Sequence, residues 1–110
     1  MSAHDLSDLE LFVLLAVLRA GENAYGVSIA REIARAGKRS VALGTVYAVL
    51  DRMEARGLVI STLGEATPAR GGRSKRYFKV TRQGLLQVRA TRDALSSMWR
   101  GIAQLQGGAA

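Results

Sequence analysis

The 110-residue chain is 48% hydrophobic with a formal net charge of +7 at pH 7, which gives room for one domain with a small core and favours a polyanionic partner, nucleic acid before anionic membrane. With no cysteine, a single histidine (His4) and no GxxxxGK loop, it offers no disulfide framework, no thiolate metal site and no base beside a nucleophile, so catalysis, metals and cofactors are not expected. The apolar run Leu11 to Leu18 follows acids rather than a basic stretch and falls well short of the roughly 20 residues that cross a bilayer. Neither a secretory leader nor membrane association is expected, and a cytoplasmic location is.

Met1 to Leu6 should be frayed. Ser7, Asp8, Leu9 and Glu10 form a capping box that opens a first helix, which runs to about Ala20. Leu9, Leu11, Phe12, Val13, Leu14, Leu15, Val17 and Leu18 make that helix apolar nearly all round, so it should be covered on two sides, by its own domain and by a second copy of the chain. The spacing predicts a second helix over Tyr25 to Ala36 with Val27, Ala30, Ile33 and Ala34 inward, ended by Gly37. Lys38 and Arg39 in the following turn suit both the negative end of that helix and a nearby nucleic-acid backbone.

A third helix is predicted over Gly44 to Arg56, where Val46, Val49, Leu50 and Met53 share one face and Gly44, Thr45, Tyr47, Ala48, Asp51 and Arg52 lie outward or on the flanks. Gly57 stops it. Leu58 to Leu63 and Lys75 to Val80 are β-prone, and the segment between them holds the only proline and three glycines, so the pair forms a hairpin with a long tip. From Arg70 to Arg82 there are six basic residues and no acid, which concentrates positive charge on the hairpin.

Thr81 caps a last helix, predicted to reach about Gln104. Val88, Leu95, Met98, Ile102 and Leu105 form a seam along it, interrupted at Thr91. At about 1.5 Å per residue such a helix outgrows the domain and should pack on a symmetry mate. Gly101 within it points to close approach of another backbone or to early fraying, and Gly107 to Ala110 to a disordered tail.

The expected fold is mainly α with a small β-hairpin (α+β). A winged helix-turn-helix over residues 1–81 is followed by a C-terminal dimerisation helix over residues 82–106, the order of elements of a module that lies on double-stranded DNA. The motifs that carry a family resemblance are Ala24-Tyr25-Gly26, Gly44-Thr45-Val46-Tyr47, Leu50 to Leu58 and Gly71 to Thr81. Together they resemble the PadR family of bacterial transcriptional regulators, in its short form with one C-terminal helix. The resemblance implies a cytoplasmic homodimer joined through the first and last helices, with the third helix in the major groove and the wing on the adjacent minor groove or backbone. It also implies repression, relieved in some members by small aromatic or drug-like molecules at the dimer interface.

The expected DNA contacts are Thr45, Tyr47, Ala48 and Arg52 in the groove, Lys38 and Arg39 at the backbone, and Arg70, Arg73, Lys75 and Arg76 at wing-side phosphates. Core packing is the alternative role for Tyr47. The expected dimer interface is Leu11, Leu14, Leu18, Val88, Leu95, Met98, Ile102 and Leu105. Met98 and Trp99 are the candidate effector platform, with interface core as the alternative for Trp99. Two departures from the family stand out. Ala42 and Leu43 replace a hydroxyl cap, at a cost of about 1 kcal/mol. Ala48 and Asp51 stand where basic residues are common, so Asp51 needs Arg52 or a cytosine amine as a partner. A rival reading keeps the winged helix but uses it for protein interaction or nonspecific nucleic-acid binding, without an operator.

Overall fold

The structure, a computed structural model, describes residues 6–64 and 74–106. Helix α1 (Asp8–Ala20) begins with the expected capping box: Ser7 Oγ accepts from the Glu10 amide at 3.1 Å, and Glu10 Oε1 accepts from the Ser7 amide at 2.9 Å. Its inner stripe, Val13, Leu14, Ala16 and Val17, is buried, while Leu15 and Leu18 on the other side stay open. A short 3-10 turn, Gly21–Asn23, leads to α2 (Gly26–Gly37), and Glu32 on α2 binds Arg35 at 2.7 Å and Arg19 of α1 at 3.2 Å. The Arg35 hydrogen bond, helped by Arg19 and opposed by desolvation, holds the Glu32 carboxyl below its ordinary value.

The inward face of α2 differs from expectation. Gly26, Ile29 and Ile33 are buried, whereas Val27 and Ala34 point to solvent. The Tyr47 ring decides this rotation: it lies over Gly26, where an added Cβ would fall within the ring, so the glycine must face inward and Val27, about 100° further round, cannot. The residue that closes α2 also differs. Gly37 is still helical and lies under the Phe12 ring, and Lys38 takes the left-handed conformation at φ 55°.

Helix α3 (Leu43–Ala55) buries Val46, Val49, Leu50 and Met53 as predicted, and Ala42 before it offers no side-chain cap. Strands β1 (Val59–Leu63) and β2 (Arg76–Val80) pair antiparallel, from Val59 with Val80 to Leu63 with Arg76. The inner end of the hairpin is fastened three ways. The Leu58 amide donates to Met53 O at 2.9 Å, the Thr81 amide donates to Leu58 O at 3.0 Å, and Thr81 Oγ1 donates to Gly57 O at 2.7 Å.

Helix α4 (Arg82–Trp99) starts on the Thr81 cap, whose Oγ accepts from Gly84 N at 3.0 Å. It stops five residues earlier than predicted, because Gly101 adopts φ 83° and turns the chain into a 3-10 segment, Ala103–Leu105. The helix is therefore about 27 Å long. Only Gly84 and Val88 along it are buried, and from Leu95 onward its apolar residues are exposed.

Two residues assigned to a subunit interface belong instead to the chain's own core. Leu14 lies on the inner stripe of α1 with no exposure, and Val88 lies in the first turns of α4, which pack on α1 and β2. Neither offers surface to a second copy. Leu14→Ala is accordingly expected to cost about 2–5 kcal/mol in urea unfolding, with no change of oligomeric state by light scattering.

Candidate nucleic-acid interface

The outer face of α3 is made of small or flexible groups: Gly44, Thr45, Ala48, Asp51 and Arg52 are all exposed. Tyr47 is not among them. Its half-buried ring packs on Gly26 and stands 6.5 Å from the Phe78 ring, tilted by 52°, so it serves the junction of α2, α3 and β2. Core packing was the alternative, and that is where Tyr47 lies.

Internal carboxylates engage several of the cations expected at the DNA. Arg52 reaches Glu10 at 3.7 Å, with its side chain still more than half exposed, and Arg56 reaches the same carboxylate at 3.4 Å. Glu10 is almost buried, so one side chain caps α1 and also ties it to the end of α3. Arg39 meets Asp8 at 3.1 Å and lies 5.4 Å over the Phe12 ring. Lys38 is exposed at the end of α2.

On the wing, Lys75 places its Nζ 3.9 Å above the ring of Tyr25, and Tyr25 meets Tyr77 edge-on at 5.9 Å. This aromatic shelf was missed in the sequence, where Tyr25 read as the start of a helix and as part of a family motif. Arg70 and Arg73 lie outside the described residues.

Arg76 departs most from its expected role as a phosphate contact. Nη1 donates to Asp51 Oδ1 at 3.1 Å, Nη2 to Glu54 Oε1 at 2.7 Å and Nε to Ser61 Oγ at 3.3 Å. Burial disfavours the charged guanidinium, yet the bonds to Asp51 and Glu54 prevail and raise its affinity for the proton above the ordinary value. Asp51 thus finds its partner on the wing, where Arg52 or a base was expected. A visible signal was the pair of acids three residues apart on α3, set against the stretch Arg70 to Arg82 that carries none.

Among the described residues no group of three or more His, Cys, Asp or Glu side chains is placed to hold a metal ion, and no helix is long and apolar enough to cross a membrane. Residues 14–90 match the family model described as the Transcriptional regulator PadR-like family. The chain belongs to the PadR-like family. Among solved structures, a PadR-like transcriptional regulator from Bacillus cereus is similar at 24% identity and TM-score 0.70, covering 91% of this chain and 92% of that one. A PadR family regulator from Eggerthella lenta is similar at 23% identity and TM-score 0.68, covering 92% and 88%. The hsRosR-S4 complex structure is similar at 22% identity and TM-score 0.68, covering 93% and 81%. These likenesses establish a shared fold. Comparison with curated proteins gives no match. PadR-like proteins are transcriptional regulators, a class that acts by binding DNA and is not enzymatic.

In this PadR-like chain the placement of Tyr47 gives a direct test. Gly26→Ala should destabilise by about 1–3 kcal/mol through overpacking, despite the better helix propensity of alanine. Pairing it with Tyr47→Ala should remove most of the additional penalty in a double-mutant cycle followed by urea unfolding.

Proposed function

We propose that the chain acts as a homodimeric, sequence-specific DNA-binding repressor in the cytoplasm. The observation that carries this reading is the exposed small-residue face of α3 set beside a strand, β2, that carries Lys79 and is flanked by Lys75 and Arg82. Small side chains let a helix sit deep in the major groove, where Thr45, Ala48 and Arg52 would meet base edges. Lys38, Lys75 and the tip residues Arg70 and Arg73 would bind the adjoining phosphates.

Dimerisation is supported by apolar surface that the chain leaves uncovered. Leu95, Met98, Trp99, Ile102 and Leu105 are exposed at the far end of α4 and beyond it, and Leu15 and Leu18 are exposed on α1. Beside them lies a groove of about 390 Å³ lined by Phe12, Leu15, Leu18 and Ile33. In the proposed dimer the α4 end of one copy covers this α1 surface of the other, so the interface comprises Leu11, Leu15 and Leu18 with Leu95, Met98, Ile102 and Leu105. A two-fold pair of α3 helices requires a palindromic operator with half-sites about one helical turn apart. A flat apolar effector would enter where Met98 and Trp99 of the two copies meet, and a state preference of about 1.4 kcal/mol would lower operator affinity tenfold.

Footprinting on the promoter regions next to the gene tests the reading, with one palindromic segment protected as the expected result. Protection without a sequence limit would favour the nonspecific module instead. Lys75→Ala should weaken binding to operator and random duplex alike and flatten the log–log salt slope by about 0.9, as loss of one phosphate contact requires. Met98→Glu combined with Ile102→Glu should give monomers by light scattering, because two carboxylates would have to be buried unpaired. A folded dimer from that variant would place the interface elsewhere.

A further inference from the structure

Asp51 and Glu54 pose a problem on a surface that faces DNA, because a carboxylate near phosphates is repelled. Their geometry suggests a task other than contact with DNA. All three guanidinium nitrogens of Arg76 meet oxygens, from Asp51 and Glu54 on α3 and from Ser61 on β1. Ser61 Oγ in turn donates to the second Glu54 oxygen at 2.9 Å, and the face of the guanidinium lies 4.8 Å over the buried Phe78 ring. One side chain therefore joins α3, β1 and β2. Its position along the hairpin matters equally: Arg76 pairs with Leu63 in the last of the five residue pairs, at the end away from the Thr81 and Leu58 fastening.

A two-stranded hairpin is marginal by itself, and this one is held otherwise at its base and, through the Phe78 amide on Ala24 O and the Tyr25–Tyr77 bridge, to the segment before α2, which leaves to Arg76 the tie between its outer end and α3. We infer that Arg76 is a positioning residue that clamps the outer end of the wing to α3 and so fixes the distance and angle between the two DNA-facing elements. The inference rests on the DNA-binding reading above. It assigns Asp51 and Glu54 to the same clamp and explains their place on the interface. Lysine cannot replace the guanidinium here, because an ammonium is a point charge without the planar fork that reaches two carboxylates and a hydroxyl together. Fixed geometry matters for operator binding, which needs α3 and the wing in register with one site. Nonspecific binding needs mainly charge.

Arg76→Lys and Glu54→Gln, singly and combined, separate this role from a phosphate contact. Operator affinity should fall about tenfold in each single variant, with random-duplex affinity and the salt slope nearly unchanged, and the double variant should be little worse than either. The sign for Glu54→Gln is the sharpest discriminator, since removing a negative charge would otherwise tighten binding to any DNA. Retained operator affinity in Arg76→Lys, or tighter binding to both duplexes in Glu54→Gln, would overturn the clamp. Amide exchange in the DNA-free protein supplies an independent readout. Exchange at Thr62, Gly64 and Tyr77, whose amides face the partner strand, should quicken in Arg76→Lys while α1 and α3 keep their protection, and unchanged exchange would overturn the clamp whether or not wild type protects an operator. A wild-type chain that protects no duplex, with exchange quickened as expected, would remove the DNA-binding reading and leave the mechanical role standing.

Discussion

Phe78 joins the wing to the helical body. Its amide donates to Ala24 O at 2.8 Å, which binds β2 to the connection before α2, and its buried ring lies 6.5 Å from the Tyr47 ring of α3 and 4.8 Å from the guanidinium of Arg76. Without a buried anchor of this kind a two-stranded hairpin would have little reason to hold one orientation. The inward setting of Gly26 and the half-burial of Tyr47 belong to the same junction, and both follow from close packing of rings where three elements converge.

The electrostatics of the interface are decided by pairing as much as by net charge. A surplus of +7 draws the molecule towards polyanions, yet Arg76 is held by Asp51 and Glu54, Arg39 by Asp8, and Arg52 leans to Glu10. The exposed pairs contribute little stability, since water screens them. Their effect is to set where each cation points. Lys75 stays available in a different way, with its ammonium resting on the Tyr25 ring and no carboxylate taking up its charge among the described contacts.

Helix α4 shows how a small domain leaves apolar surface uncovered. Its first turns are anchored by Gly84 and Val88, and the remainder extends beyond what the domain can cover. Leu15 and Leu18 on α1 are left open likewise, because the inner stripe of that helix already fills the core. Apolar side chains at two separated places in one chain are what a two-fold pairing of copies can bury together.

The sequence by itself determined the capping box at Ser7 to Glu10, the buried face of α3, the pairing of the two hairpin strands, the Thr81 cap and the order of elements that marks the family. Each rests on interactions between residues close in the chain, or on a periodicity that a single element imposes. Only the tertiary structure decided that α2 turns Gly26 rather than Val27 inward, that Leu14 and Val88 are core, and that Tyr47 packs at the junction. It also decided that α4 ends at Trp99 and that Arg76 closes on Asp51 and Glu54. These depend on what a neighbouring element presents, on which side of an all-apolar helix meets the core, and on whether a glycine adopts a positive φ. Residue type and spacing leave such choices open, and packing makes them.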